Sequence, residues 1–245
     1  MAVVAQSTDV VNTARGPMLT DESWLAARFA ELTASWRIES MRVGATLWWC
    51  MTASALVEQV VRALAREIPI PAPTLDRLAM SLRPDGSVEK VRILDTDGNG
   101  NGVTGRSAGD RRPGSRDPGT QVSARDRAPQ AHEVSEALRE ALAVVIDRIS
   151  AVSGVRKPAL WAVVTDVIAS WAVDAGAPQV GQRLAAEMGG TVPAPRFVEI
   201  SGRTFVRRAS CCLIYEAPGC EKCVSCPKRP PAEREALLAD YARRG

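Results

Sequence analysis

The stretch Val43-Gly-Ala-Thr-Leu-Trp-Trp-Cys-Met-Thr-Ala-Ser-Ala-Leu-Val57, which Glu58 and Arg62 close, decides the fold class. Its apolar residues would lie on nearly every side of a helix, which is typical of a helix buried among other helices. The run is shorter than the ~20 residues that a membrane-spanning helix needs, so we expect no transmembrane segment. The sequence therefore predicts a helical body that buries a helix over about residues 40–67.

Further helices and two hairpins surround that segment in the sequence. Apolar residues at helical spacing, together with caps and prolines, predict helices starting near these positions: Thr20 or Asp21, His132, Pro158, Pro178 and Pro231. The turn Arg83-Pro84-Asp85-Gly86 joins two strand-like runs over 78–94, and Ser201-Gly202 joins two more over 197–208. We therefore predict an α+β fold that is mainly helical, with two short β-hairpins.

The composition and net charge argue against some classes of function. With 245 residues, 46% of them hydrophobic and 24% charged, most of the chain is expected to fold. The net charge of +3 is small, and no helix shows a basic stripe, so we expect no nucleic-acid partner. A single histidine, His132, excludes a metal site built on several imidazoles.

The chain divides into six parts by composition. Residues 95–130 are rich in glycine, arginine and aspartate and carry almost no large apolar side chains, which predicts a flexible insertion. The predicted parts are a disordered tail (1–19), an N-terminal helical part with a hairpin (20–94), the flexible insertion (95–130), a second helical part (131–200), a cysteine-rich module (201–230) and a terminal helix (231–245).

The cysteines are the most informative residues. Five of the six fall between Cys211 and Cys226, whereas Cys50 stands alone in the apolar run. The first 18 residues lack the basic start and apolar stretch of a secretory signal, so we expect a cytoplasmic protein. In a reducing cytosol, a tight cysteine cluster is typical of a metal or redox site rather than of disulfides.

The cysteine spacing favours iron over zinc. The adjacent pair Cys211-Cys212 is followed, after ten residues, by Cys223-x2-Cys226. A single zinc ion usually takes two spaced pairs, whereas a two-iron cluster offers separated attachment points for adjacent cysteines. Cys220 leaves an alternative open, because Cys220-x2-Cys223-x2-Cys226 followed by a proline also resembles part of a four-iron ferredoxin sequence.

The segment from Arg207 to Pro227, with Cys-Cys-Leu-Ile-Tyr-Glu-Ala-Pro-Gly over 211–219 and Cys-Val-Ser-Cys-Pro over 223–227, resembles the C-terminal motif of FhuF-type ferric-siderophore reductases. The resemblance is specific over about residues 197–227. It implies that the C-terminal module is an iron-sulfur module that holds a [2Fe-2S] cluster. The metal site would consist of the four cluster ligands Cys211, Cys212, Cys223 and Cys226. It also implies an oxidoreductase that passes one electron to a ferric siderophore and releases ferrous iron, with no catalytic residue beyond the cluster.

The cysteine motif does not identify the electron donor, and it leaves other functions open. No flavin or nicotinamide motif is evident, so we expect an external electron donor, a ferredoxin or a flavoprotein. Two other functions remain open: a structural or sensory metal-binding module, with zinc or a redox-responsive cluster, and an electron-transfer protein of a biosynthetic pathway. Asp166 interrupts an apolar helical stretch, and either a buried polar anchor or a solvent-facing position is possible.

Overall fold

The computed structural model describes residues 12–95 and 124–244. Six α-helices make up most of these residues, so the mainly helical α+β class is confirmed. They are α1 (Glu22–Ser35), α2 (Met41–Ala65), α3 (Ala124–Ser153), α4 (Lys157–Asp174), α5 (Pro178–Met188) and α6 (Pro231–Arg244).

Helix α2 lies at the centre of the helical body, as its apolar sequence predicts. It contacts α1, α3, α4 and α5, and it packs most extensively against α4. Two tryptophans join α2 and α4 by hydrogen bonds: Trp49 Nε1 donates to the Leu160 carbonyl at 3.0 Å, and Trp171 Nε1 donates to the Ser54 carbonyl at 3.0 Å. Buried indole N–H groups need such partners. The α2–α4 pair is therefore a firm support for the residues that pack on it.

Helix α1 starts where the sequence predicts a cap. The Asp21 side chain accepts hydrogen bonds from the backbone N–H groups of Ser23 at 2.9 Å and Trp24 at 3.0 Å, which satisfies donors that the first turn leaves unpaired. The apolar side chains at helical spacing face the core, and three of them are buried: Leu25, Phe29 and Leu32.

The first predicted hairpin belongs to a three-stranded antiparallel sheet of order β1-β2-β3, formed by β1 (Asn12–Arg15), β2 (Leu78–Leu82) and β3 (Val88–Ile93). The turn between β2 and β3 is closed by the Gly86 N–H, which donates to the Arg83 carbonyl at 3.0 Å. Trp48 Nε1 of α2 donates to the Gly86 carbonyl at 2.9 Å, so the turn is fastened to the central helix.

Two boundaries differ from the sequence-based expectations. The tail expected over 1–19 is corrected for 12–19, because Asn12–Arg15 pair with β2 and Gly16–Thr20 form a 3₁₀ helix. A strand of four residues is too short to show an alternating pattern. Helix α3 begins at Ala124, inside the expected insertion 95–130, since the sequence before His132 lacks the apolar spacing that would reveal a helix. Residues 1–11 and 96–123 lie outside the described residues.

The second predicted hairpin leads into the cysteine-rich module. It consists of β4 (Phe197–Ile200) and β5 (Arg203–Val206), which are antiparallel. The turn residues Ser201 and Gly202 both adopt positive φ values, 52° and 77°. No helix in the described ranges is both long enough and apolar enough to span a lipid bilayer.

Candidate metal centre

A buried carboxylate on α4 holds the chain just before the cysteines. Asp166 is only 4% exposed. Its side chain accepts hydrogen bonds from Ala209 N at 2.9 Å and from both Ser210 N at 2.7 Å and Ser210 Oγ at 2.6 Å. A buried carboxylate requires such partners, and bonds to a charged acceptor are stronger than neutral ones. Asp166 is therefore a polar anchor, which decides between the two positions that the sequence left open.

Arg208 links this anchor to the cysteines. Its Nε lies 3.6 Å from Asp166 Oδ2, and its Nη1 donates to Cys223 Sγ at 3.7 Å. Burial disfavours the charged guanidinium, but its attraction to the Asp166 carboxylate, with further contributions from the nearby cysteine sulfurs, outweighs the burial and raises the pKa of Arg208. The guanidinium is thus a permanent cation directed at Cys223.

Two of the predicted ligands lie side by side. Cys211 Sγ and Cys226 Sγ are 3.6 Å apart. Two sulfurs bound to one tetrahedral metal at about 2.3 Å would be separated by about 3.8 Å, so this pair fits a shared metal atom. Cys226 is buried, at 1% exposure, and Cys211 is half-buried. In the metal-free protein, burial raises the pKa of the Cys211 thiol to about 11, and the neighbouring Cys226 contributes.

The segment after the adjacent cysteines packs on the helical body. Leu213 has a left-handed conformation, with φ 62°, and it precedes a 3₁₀ helix over Ile214–Glu216 that contacts α2. Leu213 and Ala217 are buried in the core. Cys212 lies near Cys50 of α2, where burial first and the charge of Cys212 second raise the pKa of the Cys50 thiol. This packing sets the adjacent cysteines against the α2–α4 support.

The second cysteine pair lies in a turn that Arg229 braces. Cys226 N donates to the Cys223 carbonyl at 3.1 Å. Arg229 Nε donates to the same carbonyl at 3.0 Å, and its guanidinium also contacts the Lys222 carbonyl and forms an ion pair with Glu233 of α6. The turn is thus fixed to the terminal helix, while the Cys223 side chain stays exposed.

The structure brings some of the four predicted ligands close together, but not all of them. Cys211 and Cys226 are in sulfur contact, and Arg208 connects Cys223 to the anchor, but no three Cys, His, Asp or Glu side chains in the described parts of the chain converge on one point. Cys220 is half-buried and packs against the core. The donor set, four thiols with one pair at metal-sharing distance, fits a two-iron cluster, in which each iron takes two protein ligands.

Sequence reasoning missed the roles of two arginines. Arg208 and Asp166 are far apart in the sequence, so no motif spacing predicts the contact between them. The brace formed by Arg229 depends on the fold of residues 222–233. The one usable signal was the lone carboxylate at Asp166 in an apolar helix, because a buried charge requires a partner.

The comparison with known families agrees with this geometry. Residues 208–228 match the family described as FhuF 2Fe-2S C-terminal domain, which confirms the resemblance over this segment. No curated protein and no solved structure matches the chain. The cysteine segment therefore matches the FhuF 2Fe-2S C-terminal domain, and the cofactor that such a domain indicates is a [2Fe-2S] cluster.

Proposed function

We propose that this protein is an oxidoreductase that reduces ferric siderophore complexes by one electron and thereby releases ferrous iron. The observation that carries the proposal is the FhuF 2Fe-2S C-terminal domain at residues 208–228, with two of its cysteine sulfurs 3.6 Å apart. Ferric iron binds hard oxygen chelators tightly, and one added electron lowers its charge and weakens the chelate. Reduction is therefore also release.

The proposed ligands are Cys211, Cys212, Cys223 and Cys226. When bound, a [2Fe-2S] cluster supplies reversible one-electron transfer. The chain's own residues position the thiolates: Asp166 fixes the backbone before the adjacent pair. These contacts favour a rigid site, which is what a metal centre needs.

Charge around the domain supports an anionic substrate. Between residues 203 and 229 there are six Lys and Arg residues and two Glu residues, a local excess of positive charge over negative. The exposed Cys223 and the exposed Lys228 lie in this segment. A positive surface raises the local concentration of an anionic ferric chelate and so favours its approach to the edge of the site.

The proposal also includes an external one-electron donor, a ferredoxin or a flavoprotein, and a cytoplasmic location. The donor is proposed because the sequence offers no flavin or nicotinamide motif. The location is proposed because free thiols and an iron-sulfur domain suit a reducing compartment.

A single-turnover experiment tests the function. Anaerobically purified protein is reduced photochemically, and a ferric hydroxamate or ferric catecholate is then added in the presence of a chromogenic ferrous chelator. We expect one ferrous ion for each oxidised cluster, because each cluster carries one electron. The Cys226→Ser variant, which lacks a buried ligand, is the control and should release none. A cluster that stays reduced with every ferric chelate would contradict the proposed function, as would zinc in place of iron.

A further inference from the structure

The four proposed ligands divide into two pairs. The sulfurs of Cys211 and Cys226 lie 3.6 Å apart, close to the separation of about 3.8 Å expected for two thiolates on one metal atom. Each iron of a two-iron cluster takes two cysteines, so Cys212 and Cys223 are left for the other iron. This division places the adjacent cysteines, Cys211 and Cys212, on different irons.

The two pairs have different surroundings. Cys226 is 1% exposed, and a buried site of low dielectric disfavours added negative charge. Cys223 is exposed and accepts a hydrogen bond from Arg208 Nη1 at 3.7 Å. Hydrogen bonds to sulfur, nearby charge and solvent exposure set the reduction potential of iron-sulfur clusters. The hydrogen bond, the positive charge of Arg208 and the solvent exposure all favour the reduced, more negative state at the iron that Cys223 would bind.

Arg208 is held in place for this role. Its Nε faces Asp166 Oδ2 at 3.6 Å, while Nη1 of the same guanidinium faces the sulfur of Cys223. Asp166 is in turn fixed by Ser210, so the cation has a defined position. An arginine stays charged at every relevant pH, and its planar group bonds in two directions at once.

We propose that Cys212 and Cys223 hold the iron that takes up the electron, with Arg208 as the cation that stabilises it there, whereas Cys211 and Cys226 hold the iron that stays ferric. The inference rests on the proposed cluster ligands. A bound cluster would take one electron from a low-potential donor and pass it to an acceptor, and the guanidinium of Arg208 would offset the added negative charge at the exposed Cys223. Arg208 is a positioning residue, since its guanidinium acts through the ligand sulfur.

Redox titration of the cluster-loaded protein tests the role of Arg208. We expect Arg208→Gln to shift the midpoint potential to a more negative value and Arg208→Lys to shift it less, because lysine keeps the charge. Arg207→Gln is the matched control: it removes the same charge from the neighbouring, exposed position, where water screens it. Equal shifts in Arg208→Gln and Arg207→Gln would overturn the assignment of Arg208.

Mössbauer spectra of the reduced, ⁵⁷Fe-loaded protein test the division of the ligands. We expect Cys223→Ser to change the ferrous signal and Cys211→Ser to change the ferric signal, since an oxygen ligand alters the iron that it binds. The opposite result would overturn the pairing. If a serine variant loses its cluster, Arg208→Gln decides, because it keeps all four thiolates: its ferrous signal should change, and a change confined to the ferric signal would contradict the proposal.

These measurements are independent of the proposed substrate. A cluster that shows the expected asymmetry but reduces no ferric chelate would refute the proposed function and leave the inference standing. Protein that releases ferrous iron from the chelate but shows equal shifts in Arg207→Gln and Arg208→Gln would support the proposed function and refute the inference. Protein that binds zinc, with no visible absorption, would refute both.

Discussion

Asp166 accepts two hydrogen bonds from Ser210, one from the backbone N–H at 2.7 Å and one from Oγ at 2.6 Å, directly before the adjacent cysteines. This one carboxylate connects the helical body to the iron-sulfur domain. Because α4 is packed against α2, the position of the cysteines depends on the core of the protein. Stability of the body and assembly of the site are therefore coupled.

We expect Asp166→Ala to lower the free energy of unfolding by about 3 kcal/mol, because several hydrogen bonds to a charged acceptor are lost and a buried N–H is left unpaired. Ser210→Ala removes one bond and should lower it by about 1 to 2 kcal/mol. Urea denaturation followed by circular dichroism measures both. The matched control is Asp174→Asn at the exposed end of α4, with a change within about 0.5 kcal/mol. Equal effects of Asp166→Ala and Asp174→Asn would contradict the anchor.

Cysteine substitutions separate the proposed ligands from the other thiols. We expect alanine at any of Cys211, Cys212, Cys223 or Cys226 to remove most of the visible absorption and bound iron of the purified protein. The controls are Cys50→Ala and Cys220→Ala, which lie outside the proposed ligand set and should keep iron close to two atoms per chain. Iron and sulfide analysis after anaerobic purification measures the outcome. Loss of the cluster in Cys220→Ala but not in Cys212→Ala would require a different ligand set.

The helical body was predictable because its signals are local. Leu25, Phe29 and Leu32 recur at helical spacing, and all three are buried in α1. β1 was missed because its four residues carry too short a pattern, and its place is set by pairing with β2, more than 60 residues later in the chain. A segment whose structure depends on a distant partner carries no local sequence pattern that would predict it.

The same distinction holds for the site. The spacing of Cys211, Cys212, Cys223 and Cys226 predicted a two-iron domain, since ligand spacing is a local property, and the family match at residues 208–228 supports it. The choice of these four as ligands stays a prediction. The contacts of Asp166 and Arg208 with the cysteine segment arise from packing between distant parts of the chain, so only the structure reveals them.

The turn at Gly86 offers a test of the link between the sheet and the helices. Gly86 has a φ of 77°, and a Cβ there would lie 2.7 Å from Glu31 Oε2 and 3.1 Å from the Arg28 carbonyl. Gly154 has a similar φ of 70°, but no atom lies within 4 Å of its would-be Cβ. Both Gly→Ala variants strain the backbone by about 1 kcal/mol, and only Gly86→Ala adds a clash, worth roughly 1 to 3 kcal/mol. Thermal unfolding should therefore show the larger loss for Gly86→Ala, and equal losses would contradict the packing at the turn.

The stability of the metal-free protein should fall at alkaline pH because of Cys50. Burial raises the pKa of this thiol in the folded protein, so the folded state keeps a proton that the unfolded chain loses above about pH 8.5. Unfolding then releases a proton, and the free energy of unfolding decreases as the pH rises, by up to about 1.4 kcal/mol per pH unit. Cys211, whose pKa is raised to about 11, contributes in the same direction.

Cys50→Ala should flatten this decline between about pH 8.5 and 10, as measured by urea denaturation at several pH values, because the variant has no thiol to ionise at this position. Val60→Ala is the matched control on the same helix: it removes buried volume without removing a thiol, so it should lower stability at every pH and leave the slope unchanged. An unchanged slope in Cys50→Ala would mean that this thiol is accessible to water in the folded protein, and that α2 and the cysteine segment pack less closely than the structure shows.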